Sequence, residues 1–178
     1  MTAGPVCTPQ AEVERGLGTA DITPPPDAYH RNWGAALHDA AAGIHRPLRA
    51  TALSLCPLGG GAEHLLIALD LGWMRTAEVT ALLERTAAAV GVDPARLVVT
   101  FAHTHAAIHL DLTRTEQPGG QYIAPYLETL PRRLAAAVAQ ARADRRPTIL
   151  AFGHGQCSLA MNRDLPAPQA GGFACGPT

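Results

Sequence analysis

The sequence contains no lysine, and all 14 of its basic residues are arginine. A catalytic lysine within these residues is therefore excluded. There is no Cys-x-x-Cys pair either. The four cysteines, Cys7, Cys56, Cys157 and Cys175, lie far apart, which predicts free thiols in a reducing compartment rather than a disulfide framework or a thiolate metal site. No basic stripe with interleaved aromatics occurs, and with a formal net charge of −1 a protein that tracks nucleic-acid phosphates is excluded as well. No apolar run approaches the roughly 18–20 residues that span a bilayer, and the N-terminus lacks the basic and long apolar regions of a secretory signal. A cytoplasmic chain without a transmembrane segment is expected. Apolar residues are plentiful, at 47% of 178 residues, enough for the core of one domain or of a piece of a larger one.

The most informative stretch is Val98-Val99-Thr100-Phe101-Ala102-His103-Thr104-His105. A β-branched apolar segment here delivers two histidines one residue apart. If the extended conformation continues through His105, side chains alternate faces and both imidazoles point the same way at roughly 6–7 Å. Neutral imidazoles so placed are suited to a metal ion, zinc above all. A hydrolytic zinc takes three protein ligands and an open water position, so this pair needs a partner from elsewhere.

Around the pair the chain reads as follows. Residues 1–13 carry Pro5 and Pro9 without periodicity and form a flexible leader, with structure starting near Glu14. Arg15 to Thr23 is a strand ended by Pro24-Pro25-Pro26, with Asp21 as a turn carboxylate before the stop. Residues 27–46, bearing Tyr29, His30, Trp33, His38 and His45, have neither period and predict a long functional loop. Leu48–Leu55 and His64–Asp70 are strands joined by a turn at Gly59-Gly60-Gly61, the second a buried run covered on both faces. Thr76 is placed to cap a helix that Gly91 stops. Leu97–Phe101 is the next buried strand, so strand, helix and strand form a parallel crossover.

Sites in such sheets form outside the carboxyl ends of strands, where both Asp70 and His103/His105 fall. Asp70 either orients a ligand histidine or caps the local loop, and His109 or Asp111 could supply a third ligand if the following loop folds back. An amphipathic helix is expected from Tyr122 to about Ala143, kinked or broken at Pro131, with Arg132, Arg133, Arg142, Arg145 and Arg146 on its solvated face. Thr148–Phe152 and Gln156–Met161 are short strands, and the tail beyond Leu165 shows no pattern that would finish a sheet. The fold class is α/β, a layered mixed sheet with a parallel βαβ unit and flanking helices, expected to be an incomplete domain whose open edge favours self-association.

Taken in order, Gly16-Leu17-Gly18-Thr19-Ala20-Asp21-Ile22-Thr23-Pro24-Pro25, Gly43-Ile44-His45-Arg46-Pro47-Leu48, the strand to Asp70, His103-Thr104-His105 and Asn162-Arg163 resemble the N-terminal catalytic domain of neutral/alkaline non-lysosomal ceramidases. The match is closest to the shorter bacterial ceramidase-like proteins, and places residues 14–178 in that domain. The resemblance implies a zinc-dependent amide hydrolase that cleaves the N-acyl bond of ceramide, a sphingolipid amide, to give a fatty acid and a sphingoid base. It implies that His103 binds zinc, that His105 acts in catalysis and contacts substrate, and that Arg163 lines the site and contacts the polar substrate group. Ala106-Ala107-Ile108 stands where the family has small residues of a Ser-Gly-Pro type. The family's remaining zinc ligands, a histidine, a glutamate and a tyrosine, lie further downstream than this chain extends, so a truncated form with an incomplete zinc site is expected. The alternative is a non-catalytic remnant or binding protein that keeps the fold without the metal, and a third possibility is a metallohydrolase completed locally by Asp70, His109 or Asp111.

Overall fold

The computed structural model describes residues 10–34 and 36–159 in full, and the backbone of residues 164–167 and 172–175. Residues 11–150 form one unit. Its centre is a five-stranded sheet built from β1 (Gln10–Asp21), β2 (Arg49–Pro57), β3 (His64–Leu69), β4 (Leu97–Phe101) and β5 (Arg146–Ala151), in the order β4-β3-β2-β1-β5. β1, β2 and β3 pair antiparallel, whereas β3 and β4 are parallel. Helix α1 (Thr76–Val90) makes the β3–β4 crossover, and α2 (Ile123–Ala143) leads from the loop after β4 to β5. The mixed α/β class, the hairpin at the three glycines and the parallel crossover are as the sequence predicts. Two further strands, β6 (Asp164–Ala167) and β7 (Gly172–Cys175), pair antiparallel in a second unit, where the sequence shows no strand pattern.

The helices bury one face of the sheet. Along β3, Leu65, Ile67 and Leu69 are buried while the intervening residues are exposed. The continuous apolar run is thus a one-sided strand and not one covered on both faces, because period 2 places every second side chain away from the helices. β4 is an edge strand, with only Leu97 buried. On the opposite face the register aligns Leu17 with Leu53, Leu53 with Leu66 and Leu66 with Val98. This apolar row crosses four strands, and Leu17, Leu66 and Val98 are 44%, 39% and 53% exposed.

Buried residues of α2, among them Ile123, Tyr126, Leu130, Leu134, Val138 and Ala141, recur at three and four residues and pack on β2 and α1. Each large side chain so buried contributes about 1.5–3 kcal/mol. Pro131 does not break the helix, which runs unbroken through it with the ring itself buried. Gly16 and Gly18 explain how close α2 comes: a Cβ at either would collide with helix backbone at Ala141 or Ala137. Of the arginines expected on a solvated face, Arg142 bonds Glu63 through both Nε and Nη2, at 3.1 and 2.6 Å to Oε2. Arg145 pairs with the same carboxylate and donates to Ser54 Oγ at 2.9 Å. These contacts tie the end of α2 to β2 and to the residue before β3.

At element ends the local chemistry differs in places from expectation. α1 begins at Thr76, but its cap is Arg75, with no side-chain hydrogen bond. Gly91 stops it in a left-handed conformation (φ 70°) whose N–H donates to Ala87 O, as glycine at that position permits. β1 starts at Gln10, earlier than Glu14, and residues 156–159 are not a strand. Residues 160 and 161 lie outside the described residues.

Candidate functional site

Strand β4 ends at Phe101, and the chain does not stay extended through the two histidines. His103 adopts a left-handed conformation (φ 59°), a region where histidine is among the better tolerated non-glycine residues. The turn closes when Ala106 N–H donates to Thr104 Oγ1 at 3.2 Å. It brings the His103 and His105 rings to 5.2 Å between centroids, at 68° to each other. The imidazoles are neighbours because the backbone reverses, not because a strand alternates. Both are exposed.

The long loop between β1 and β2 packs against this turn. Asn32 Nδ2 donates to Ala107 O at 2.7 Å, and His109 N–H to Tyr29 O at 2.7 Å. The Trp33 ring lies 5.4 Å from the His105 ring, tilted by 59°. Between the two segments lies a cavity of about 650 Å³. Its wall is mainly apolar, formed by Pro24, Pro25, Ile44, Leu48 and Ile108 with several alanines, and His30, His38, His45, Arg46 and His105 are also among its lining residues. His30 Nε2 and His38 Nδ1 approach to 2.9 Å with the rings edge to face. One of the two must donate, so the contact requires at least one neutral ring. Burial, and then His38, push the His30 pKa below the ordinary imidazole value, with Asp39 opposing.

The other candidates of the sequence are used structurally. Asp21 Oδ1 accepts Thr23 N–H at 2.8 Å, the turn role expected of it. Asp70 Oδ2 accepts Arg49 N–H at 2.9 Å, and Asp70 N–H donates to Arg49 O, so this carboxylate ties the ends of β2 and β3. His109 is buried between the rings of Tyr29 and Trp73, at 5.6 and 5.5 Å, and burial pushes its pKa down against the pull of Asp111. Asp111 is buried, pairs with Arg75 at 2.8 Å, and accepts both the N–H and the hydroxyl of Thr113. The Arg75 hydrogen bond foremost holds its carboxyl well below the usual carboxylate range. Neither His109 nor Asp111 joins the histidine pair, because each is committed to holding the loop after β4. Among the described residues no three His, Cys, Asp or Glu side chains gather where they could hold a metal, so the locally completed metallohydrolase finds no ligand set. Arg163 lies outside the described residues. Trp33, Asn32 and the His30–His38 contact went unassigned in the sequence; the one signal was the aromatic and histidine content of residues 27–46.

The class defined by these features is an α/β protein with a His-x-His turn at the carboxyl end of a parallel strand, opening on an apolar cavity. Two solved structures share the fold. One, described as a ceramidase complexed with C2, is similar at a TM-score of 0.64 with 21% identity, over 77% of this chain and 22% of its own. The other, neutral ceramidase from Pseudomonas aeruginosa, is similar at a TM-score of 0.60 with 21% identity, again over 77% of this chain and 22% of its own. The chain thus spans about a fifth of the length of the proteins whose fold it shares. No family model matches the sequence, and no curated protein matches it.

Proposed function

We propose that this chain carries part of a ceramidase-like, zinc-dependent hydrolase of N-acyl amide bonds, with the His103–His105 turn at the reacting centre. The observation that supports it is the placement of two adjacent imidazoles on a turn that borders an apolar cavity, in a fold shared with ceramidases. The cavity wall is suited to an acyl chain, which gains about 0.8 kcal/mol per methylene on leaving water. His105 reaches that wall and offers a ring N–H to an amide oxygen or to the oxyanion that follows attack. His103 is the metal residue that the resemblance implies. Two imidazoles fall short of the three protein ligands of a hydrolytic zinc, and the residues present do not fit the ion by themselves.

Zinc titration of the purified chain and of His103→Ala tests this reading. Weak binding that disappears in the variant is expected, since each missing ligand is costly. Tight zinc that survives His103→Ala overturns the assignment of His103. No zinc in either protein supports the second reading, a non-catalytic remnant, which the two-member donor set favours.

A further inference from the structure

Residues 30–39 fold back on themselves beside the His105 turn, and polar contacts hold them there. At the neck, His30 N–H donates to Asp39 O at 2.9 Å, Arg31 Nη1 donates to Asp39 Oδ1 at 3.3 Å, and His30 Nε2 meets His38 Nδ1 at 2.9 Å. Toward the tip, Arg31 Nη2 donates to Ala36 O at 2.7 Å and Ala36 N–H to Trp33 O at 3.0 Å. Apolar burial adds little, since Trp33 is 60% and Leu37 96% exposed. A segment with so few buried apolar contacts opens more readily than the core beside it. Of the links at the neck, the imidazole pair is the one that titrates near neutrality. Its bond needs a ring lone pair, and two charged rings would set N–H against N–H and place like charges at hydrogen-bond distance. Asp39, the one acid in the segment, is shared with Arg31, so three cations would then face one carboxylate. The other ionisable residues lining the neighbouring cavity, His45, Arg46 and His105, are all basic and add no countercharge.

We propose that the His30–His38 contact is a pH-operated latch: while one ring is neutral it holds residues 30–39 closed beside the His105 turn, and when both rings are charged it releases them. The first proton leaves the bond intact, and the second breaks it. Burial and His38 already push the His30 pKa down against the pull of Asp39. The closed form is therefore stabilised above the ordinary imidazole value of about 6.5, and loses that stabilisation as pH falls through it toward the folded value. Release would free the segment that carries Trp33 away from the His105 ring, 5.4 Å from it in the closed form. The latch goes beyond the function proposed above and stands without any hydrolytic activity.

Hydrogen–deuterium exchange of the whole chain at about pH 7.5 and about pH 5, each rate corrected for its intrinsic pH dependence, tests the latch without metal or substrate. Protection of residues 30–39 is expected to fall at least about tenfold at the lower pH, the effect of a proton bound more than one pH unit below the ordinary value. Helix α2 should keep its protection at both. His38→Asn supplies an amide oxygen that accepts from His30 Nε2 whether or not His30 is charged, so the segment should stay protected at the lower pH. His30→Phe removes the contact and should leave the segment unprotected at both, with α2 again reporting a folded chain. Equal protection of the parent at the two pH values overturns the proposal, as does a loss that α2 shares. So does a pH-dependent loss that persists in His38→Asn, which would assign the effect to His45 or His105, or protection at the higher pH that survives His30→Phe.

Discussion

His103 illustrates how a single residue holds the site's geometry. Its positive φ costs a non-glycine residue about 1–2 kcal/mol, more for a β-branched side chain. His103→Gly should therefore remove the imidazole with almost no loss of thermal stability, whereas His103→Val should lower stability by about 1–2 kcal/mol, read from denaturant unfolding. Asp111 works in the opposite direction, stabilising through charge. Its carboxyl is held below the ordinary range by Arg75, so its contribution is present above the unfolded carboxylate pKa and is lost as pH falls through that range toward the folded value. Asp111→Asn should cost about 1–3 kcal/mol at pH 7, and the gap to the parent should narrow below about pH 4 in unfolding experiments. Asp21 was legible from its neighbours alone, because its partner is two residues away. Asp111 was not, because Arg75 comes from the segment before α1.

At the scale of elements, helix α2 sits on β1 where two glycines let backbone meet backbone. Gly18→Ala should push the helix outward and destabilise the chain by more than about 2 kcal/mol, or prevent folding, as judged by circular dichroism and thermal melting. Exposed Gly34, where an added methyl meets nothing, provides the control. The strands of the five-stranded sheet, α1 and α2 were readable because periodicity and glycine stops are local signals. What escaped was pairing across distance. The Arg142 and Arg145 contacts to Glu63 join residues some 80 positions apart, and charge alone made them look like a solvated face. The turn at His103 escaped for another reason: β-branched residues announce a strand, but nothing in Ala-His-Thr-His announces its end.

For the molecule as a whole, the difference between the two sides of the sheet matters most. The side facing the helices contains the core, with Ala50, Ala52, Leu65, Ile67 and Leu69 at 2% exposure or less. The other carries the row Leu17, Leu53, Leu66 and Val98, half open to water. Leu66→Thr, a β-compatible polar exchange on that side, should reduce binding of an apolar fluorescent dye measurably and change stability by no more than about 0.5 kcal/mol. A fall in melting temperature as large as that of a core truncation would show the row to be more shielded than its exposure indicates. A protein with one oily flank has a solubility ceiling set by that flank. Rewriting it in threonine lifts the ceiling, while cooperative melting, governed from the far side, goes on as before.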